Sequence, residues 1–213
     1  MKVIDDGVIK YDRTNFSQSP PLLEIEYKEL EYWRKKLYNL NLIGEYQESK
    51  IGFGNASAIY DYSKRHQSSV PQFIITGTQT GKYADLDGSH YTRILDYFID
   101  ELKVSMEGPV EASSEVLTHA AIYQKNPLIK VVFHAHSNII WKMMIDKKYP
   151  YTAEKITYGT VEMAKATQEC VGELTSGSIC LHGHADGFIS YGTSLEEAWN
   201  NIFDLYTQAY ICA

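Results

Sequence analysis

Two histidines separated by one alanine, His134 and His136, are the residues of this sequence best placed to do chemistry. They follow the short apolar run "LIKVVF", whose β-branched residues predict a buried strand. Residues two apart in a strand point to the same face, so both imidazoles project together while Ala135 points away. The pair either binds a metal ion or consists of two structural histidines, and the spacing alone leaves both interpretations open.

A catalytic zinc site needs a third protein ligand and an open coordination position. The segment "CLHGHADGF" offers His182 and His184 in a glycine-broken turn between two predicted strands. Glycine allows the backbone to come close to a metal ion. This turn is therefore the expected source of the third ligand, although the residues themselves do not say which histidine binds.

Ser113, Ser114 and Glu115 stand at the predicted start of a helix that must end before Pro127. Serine hydroxyls and free backbone N–H groups at a helix start form a pocket suited to an anion. A carboxylate beside such a pocket and a metal ion can move a proton. Alternatively, Glu115 is only a first-turn glutamate favoured by the helix dipole. His119 lies four residues further on the same helical face. We interpret it as a packing residue, or as a residue that contacts a ligand without binding the metal itself.

Strands and helices alternate along the chain, and this pattern predicts a single α/β domain. A helical pattern runs from about Leu22 to Asn39, and capping residues predict further helices after Ser137, Thr160 and Ser194. Residues 90–107 fit one helix and a strand–turn–strand about equally well. Buried strands are predicted at "QFIITG", "IKVVF", "SICL" and "GFISY".

Composition limits the classes of partner. The chain has 213 residues, 44% of them hydrophobic, which is enough for one well-packed core. Its net charge of -7 and the lack of a basic run argue against nucleic acids and anionic membranes as partners. No stretch reaches the ~20 continuous apolar residues that span a bilayer, and the first residues lack the apolar core of a signal peptide. The three cysteines show no CxxC spacing and are expected to be reduced thiols of a cytoplasmic protein.

Five segments, taken in order, resemble motifs of the class II aldolase/adducin family. They are "GFGNAS" at 52–57, "TGTQTG" at 76–81, "SSEVLTHAAIY" at 113–123, "VVFHAHS" at 131–137 and "GHADGFISYGTSLEEA" at 183–198. The resemblance implies a three-layer α/β/α domain with a central, largely antiparallel sheet, so residues 90–107 are expected to be strands around a turn. It also divides the chain into an N-terminal extension at 1–22 and a class II aldolase/adducin-like domain at 23–213.

The resemblance further implies roles for individual residues. His134 and His136 would bind Zn²⁺ or another divalent metal, and Glu115 would be the catalytic acid or base that also ligates the metal when substrate is absent. The substrate phosphate would be held by Gly54, Asn55, Thr80, Gly81, Ser113 and Ser114.

Two departures from the family pattern concern the third ligand and a tyrosine. The family carries its third ligand as a histidine directly before a glycine, and here that register falls on Asp186. We predict His184 instead, because a small loop insertion would bring it into place, and His182 and Asp186 remain the alternatives. Family aldolases also use a tyrosine from a neighbouring subunit, for which the candidates are Tyr149, Tyr151 and Tyr158.

The function implied by the resemblance is that of a zinc-dependent aldolase, a lyase of carbohydrate metabolism. It would act on a small phosphorylated keto-sugar or related hydroxy-carbonyl compound through a metal-stabilised enediolate, as a homotetramer. Epimerisation or dehydration of the same substrate class is the nearest alternative, and a non-catalytic, adducin-like binding module is the alternative outside the enzymes. An amidohydrolase barrel typically needs ~250 residues, more than this chain has.

Overall fold

A nine-stranded sheet forms the middle layer of the computed structural model, which describes residues 8–63 and 67–211. In chain order the elements are β1 Phe16–Gln18, α1 Glu24–Asn39, β2 Gly44–Glu45, β3 Gly52–Phe53, β4 Asn55–Ile59, β5 Phe73–Thr76, β6 Tyr91–Phe98, β7 Lys103–Gly108, α2 Val116–Lys125, β8 Val131–His136, α3 Asn138–Asp146, β9 Tyr151–Thr152, α4 Val161–Val171, β10 Gly177–Leu181, β11 Gly187–Gly192 and α5 Leu195–Tyr210. The strand order is β1-β7-β6-β5-β4-β8-β11-β10-β9, and β2 pairs with β3 outside this sheet. The two outermost pairs are parallel and the inner pairs are antiparallel, which confirms the largely antiparallel sheet.

The sheet is covered by helices on both faces. Ile75 of β5 packs in the layer of α2 and α4, whereas its neighbour Ile74 packs in the layer of α1, α3 and α5. This alternation follows from the two-residue period of a strand. In β8 the same alternation places Val132 in the α2/α4 layer and Phe133 in the opposite one. The predicted three-layer α/β/α fold is therefore confirmed, and His134 and His136 share the face of Val132.

The helices predicted after Ser137, Thr160 and Ser194 are present as α3, α4 and α5 and begin at the predicted residues. Ser137, Thr160 and Ser194 each accept a hydrogen bond from the backbone N–H three residues further along, at 3.1–3.2 Å. Residues 90–107 contain β6 and β7 joined by a 3-10 turn at Ile99–Glu101, so the strand–turn–strand interpretation is confirmed. Within the described ranges, no helix combines the length and apolar character needed to cross a membrane.

The segment before α1 contacts the rest of the fold at several points. The buried Tyr11 donates its hydroxyl hydrogen to the Ala112 carbonyl oxygen at 2.8 Å. The Val8 N–H donates to the Tyr158 hydroxyl at 3.2 Å, and Lys10 Nζ donates to the Tyr158 carbonyl oxygen at 3.2 Å. Residues 1–7 of the proposed extension lie outside the described part of the chain, and its boundary at residue 22 stays a prediction.

Candidate active site

Three buried histidines converge where β8 and β11 meet the turn after β10. One ring nitrogen each from His134, His136 and His184 lies within 4.8 Å of the other two. The Nε2 atoms of His134 and His136 are 2.8 Å apart. Imidazole nitrogens that converge in this way suit a divalent metal ion, which they bind at ~2.0–2.1 Å in the case of zinc.

Gly187, the first residue of β11, provides the space for these rings. It stands opposite His136 in the β8–β11 ladder, and its N–H donates to the His184 carbonyl oxygen at 3.0 Å. A Cβ atom at position 187 would lie 2.7 Å from His184 Cδ2 and 3.1 Å from His134 Cε1. Only glycine therefore leaves both rings in place.

Replacing Gly187 with alanine is expected to weaken metal binding by at least about 10-fold, because the added methyl group displaces one or both rings. The measurement is a cobalt or zinc titration against a competing chelator, with circular dichroism to show that the fold persists.

Gly172 is the matched control for Gly187→Ala. Among the described residues, a Cβ there meets the Glu169 carbonyl oxygen alone, at 3.9 Å, although its φ of +55° makes alanine strained. Gly172→Ala should cost about 1–3 kcal/mol of stability without changing metal affinity. Wild-type metal affinity in Gly187→Ala would contradict the expected clash.

Glu115 faces the histidines from the residue preceding α2. Its Oε2 lies 2.8 Å from His134 Nε2, and its Oε1 lies 3.6 Å from His184 Nε2. The Asn55 side-chain amide donates to Oε2 at 3.2 Å. Oε1 is buried and accepts no hydrogen bond from the described residues. A buried carboxylate oxygen without a donor, next to three imidazole nitrogens, is the arrangement that a bound cation would satisfy.

The protonation states also fit a cation. Burial alone would raise the pKa of the Glu115 carboxyl, but nearby His134 and His184 outweigh burial and lower that pKa below its usual range. Burial lowers the pKa of His136 well below its usual value, and the neighbouring His134 and His184 lower it further. Metal ligands must be deprotonated, so an ionised carboxylate and a neutral imidazole are prepared to bind.

Both alternatives for the third ligand contact residues outside this group. The His182 ring stacks on the Tyr151 ring, with 4.6 Å between the ring centres. The Asp186 carboxylate accepts a hydrogen bond from the Asn138 side-chain amide at 2.6 Å. Among the described residues, the group able to hold a metal contains His184 and neither alternative. The geometry therefore favours His184, whose role as a ligand stays a prediction.

A cavity extends from Glu115 to two glycine-rich loops. Five of the six predicted phosphate-binding residues line it, namely Gly54, Asn55, Gly81, Ser113 and Ser114, together with Gly52, Phe53, Gly77, Thr78, Gln79 and Tyr158. Thr80 is not among the described lining residues, and its hydroxyl donates to the Gly77 carbonyl oxygen at 2.7 Å. No lysine or arginine occurs among these residues, so neutral hydroxyl and amide groups would have to hold an anion.

Tyr158 and Tyr46 contact the histidines in ways that sequence reasoning did not foresee. Tyr158, a candidate for the tyrosine of a neighbouring subunit, lines the cavity of its own chain. The centre of its ring lies 5.1 Å from the centre of the His184 ring. The Tyr46 hydroxyl lies 2.9 Å from His136 Nδ1, across a separation of 90 residues. No local pattern around Tyr46 could have indicated this contact.

His119 belongs to a separate buried cluster. Its Nδ1 lies 2.7 Å from the Ser57 hydroxyl, which lies 2.7 Å from the Tyr123 hydroxyl. Burial lowers the pKa of His119 to about 3, so this imidazole is neutral near pH 7. His119 is not a member of the metal-binding group of the described residues, in agreement with a packing or outer role.

Comparisons with known proteins agree with the fold. The chain matches the family described as Class II Aldolase and Adducin N-terminal domain over residues 40–212. L-fuculose-1-phosphate aldolase from Thermus thermophilus superimposes with a TM-score of 0.62 at 22% identity, covering 87% of this chain and 91% of that one. A sugar-phosphate aldolase from Thermotoga maritima superimposes with a TM-score of 0.64 at 18% sequence identity, covering 88% of this chain and 93% of that one. YgbL from Escherichia coli superimposes with a TM-score of 0.61 at 20% sequence identity, covering 85% of each chain. No curated protein matches the chain significantly. At these identities the structural likeness shows the fold.

Proposed function

Since the chain belongs to the class II aldolase and adducin family, we propose that it is a metal-dependent lyase for a small phosphorylated keto-sugar or related hydroxy-carbonyl compound. The observation that supports this best is the position of Glu115. Its buried carboxylate stands between two imidazoles of the histidine group and a polar cavity. An acid–base group, a cation site and an anion pocket thus lie side by side.

Zn²⁺ fits the donor set of His134, His136 and His184, and when bound it would supply a Lewis acid that polarises a carbonyl group. Manganese, cobalt, nickel and iron also accept imidazole and carboxylate ligands. The three histidines leave Glu115 available for proton transfer.

Glu115 provides the proton chemistry. Asn55 holds Oε2, so Oε1, which would ligate the cation when substrate is absent, is the oxygen that can accept a proton from bound substrate. Cleavage of the carbon–carbon bond requires a base that removes the O–H proton of the hydroxyl group on the carbon that becomes the aldehyde. It also requires an acid that returns a proton to the other fragment. A carboxylate can perform both steps in turn, and a positioned acid–base group contributes about 10²–10⁴-fold to a rate.

The cavity loops would bind the remote end of the substrate. Ser113 and Ser114 offer hydroxyl donors, and Gly54 and Gly81 allow the backbone to come close to an anion. Binding energy gained there can orient the reacting carbons against Glu115. Aldol cleavage is our first choice of reaction, and epimerisation and dehydration need the same kind of proton transfer. The homotetramer and the cytoplasmic location stay predictions.

The test is metal content and turnover of freshly purified wild-type protein, before and after chelation. We expect about one divalent metal ion per chain and metal-dependent release of an aldehyde from phosphorylated ketoses. The matched non-phosphorylated sugars should react more weakly, because the remote binding energy is lost. If no metal binds, even when zinc is supplied, the proposed mechanism is wrong and an adducin-like binding role replaces it. Metal binding with epimerisation or dehydration alone would correct the reaction type.

A further inference from the structure

The Nδ1 atoms of His134 and His136 are held by different kinds of partner. His134 Nδ1 lies 3.1 Å from the Phe188 carbonyl oxygen. A carbonyl oxygen can only accept, so His134 Nδ1 carries the proton in this contact, and Nε2 is the nitrogen that faces Glu115 Oε2 at 2.8 Å. His136 Nδ1 lies 2.9 Å from the Tyr46 hydroxyl, which can either accept or donate. The orientation of His136 thus depends on a side chain, whereas that of His134 depends on the sheet backbone.

We propose that Tyr46 is a positioning residue for His136, holding its ring so that Nε2 faces the site. This inference rests on the proposed function, because it assumes that His136 binds the metal. With Nε2 bound to metal, Nδ1–H donates to the Tyr46 oxygen. In the metal-free protein the Tyr46 O–H can donate to Nδ1 instead. Tyr46 therefore keeps the ring in one orientation through both states.

Tyr46 is itself held in place by the hairpin of β2 and β3. Its N–H donates to the Ile51 carbonyl oxygen, and its carbonyl oxygen accepts from the Lys50 N–H, both at 2.9 Å. The Tyr46 ring packs on Phe53 at 4.6 Å between ring centres, and Phe53 packs on His136 at 5.4 Å. A positioning group must be more rigid than the group it orients, and these contacts provide that rigidity.

The same hairpin touches a loop that lines the cavity. The Gly52 N–H donates to Gln79 Oε1 at 2.9 Å. A Cβ at Gly81 would lie only 2.4 Å from the Phe53 carbonyl oxygen, so these backbones are in close contact. The hairpin therefore joins a candidate metal ligand to the predicted anion pocket. Because Tyr46 contacts His136 through its hydroxyl, Tyr46→Phe removes this contact and leaves the backbone hydrogen bonds of the hairpin intact.

The experiment compares Tyr46→Phe with Tyr206→Phe in the full chain. Tyr206 lies on α5, where its ring stacks on Tyr210 at 4.6 Å, and α5 packs in the layer opposite the histidines. Competition titrations with Co²⁺ and Zn²⁺ give the dissociation constants. We expect a 10–100-fold loss of affinity in Tyr46→Phe, as is typical when the outer partner of a ligating histidine is removed, and no change in Tyr206→Phe.

A second measurement is the ¹⁵N NMR spectrum of the histidine side chains, which reports which ring nitrogen of His136 carries the proton. We expect Tyr46→Phe to change the His136 signals in the metal-free protein and to leave those of His119 unchanged. Unchanged affinity together with an unchanged His136 spectrum would overturn the role of Tyr46. If wild-type protein binds metal and only the Tyr46 result is negative, the proposed function survives. If wild-type protein binds no metal, both fail.

Discussion

Glu115→Gln is expected to lower kcat by about 10²–10⁴-fold while about one metal ion per chain remains bound. The glutamine amide preserves the size of the side chain, and its oxygen can still accept the hydrogen bond from Asn55. It cannot accept a proton, so acid–base transfer stops. The three histidines remain, and metal binding should persist with reduced affinity. Stopped-time assays of aldehyde release, paired with metal analysis of the same samples, check both parts.

Glu111→Gln is the matched control for this experiment. Glu111 lies four residues earlier, and its carboxylate pairs with the exposed Arg13 at 3.1 Å. An exposed pair of this kind contributes roughly 0–1 kcal/mol to stability, so kcat and metal content should both stay near wild type. If Glu115→Gln retains more than a tenth of wild-type kcat, Glu115 is not the acid–base residue. If both variants lose activity, the loss reflects the change of a nearby charge.

His184→Ala should lower the metal affinity by more than about 100-fold. This loss is larger than the one expected when the hydrogen-bond partner of a ligating histidine is removed. The loss follows because one of the three imidazoles that converge among the described residues disappears. His182→Ala is the matched control, two residues earlier in the same turn. Its ring stacks on Tyr151 and should cost some stability when removed, but metal affinity should stay within a factor of two or so of wild type. Competition titrations on both variants decide the third ligand. Loss of affinity in His182→Ala alone would reverse the assignment.

The parts of the site that depend on local periodicity could be predicted from the sequence. The strand period placed His134 and His136 on one face, and in β8 they do share a face. The serine-rich helix start placed Ser113, Ser114 and Glu115 together, and all three line one cavity. These features depend on neighbours within a few residues, which is the range over which a sequence pattern carries information.

The parts that depend on distant packing could not be predicted in this way. Choosing between His182 and His184 requires the path of a turn whose Asp186 has a φ of 65°. Tyr46 reaches His136 only because the β2–β3 hairpin folds over the end of β8. The choice between one helix and two strands at 90–107 also required the sheet, because apolar spacing fits both. Tertiary contact decides each of these cases.

The contacts before α1 have a consequence for how the protein is made. Val8 meets Tyr158 across 150 residues, and Tyr11 meets Ala112 across 101. Contacts between such distant positions form late, because the intervening chain must first be ordered. On the ribosome, Val8 and Lys10 are synthesised before Tyr158 and cannot make these hydrogen bonds until Tyr158 has followed. The wall that Tyr158 provides beside His184 is therefore fixed against the segment before α1 only after this contact across 150 residues has formed.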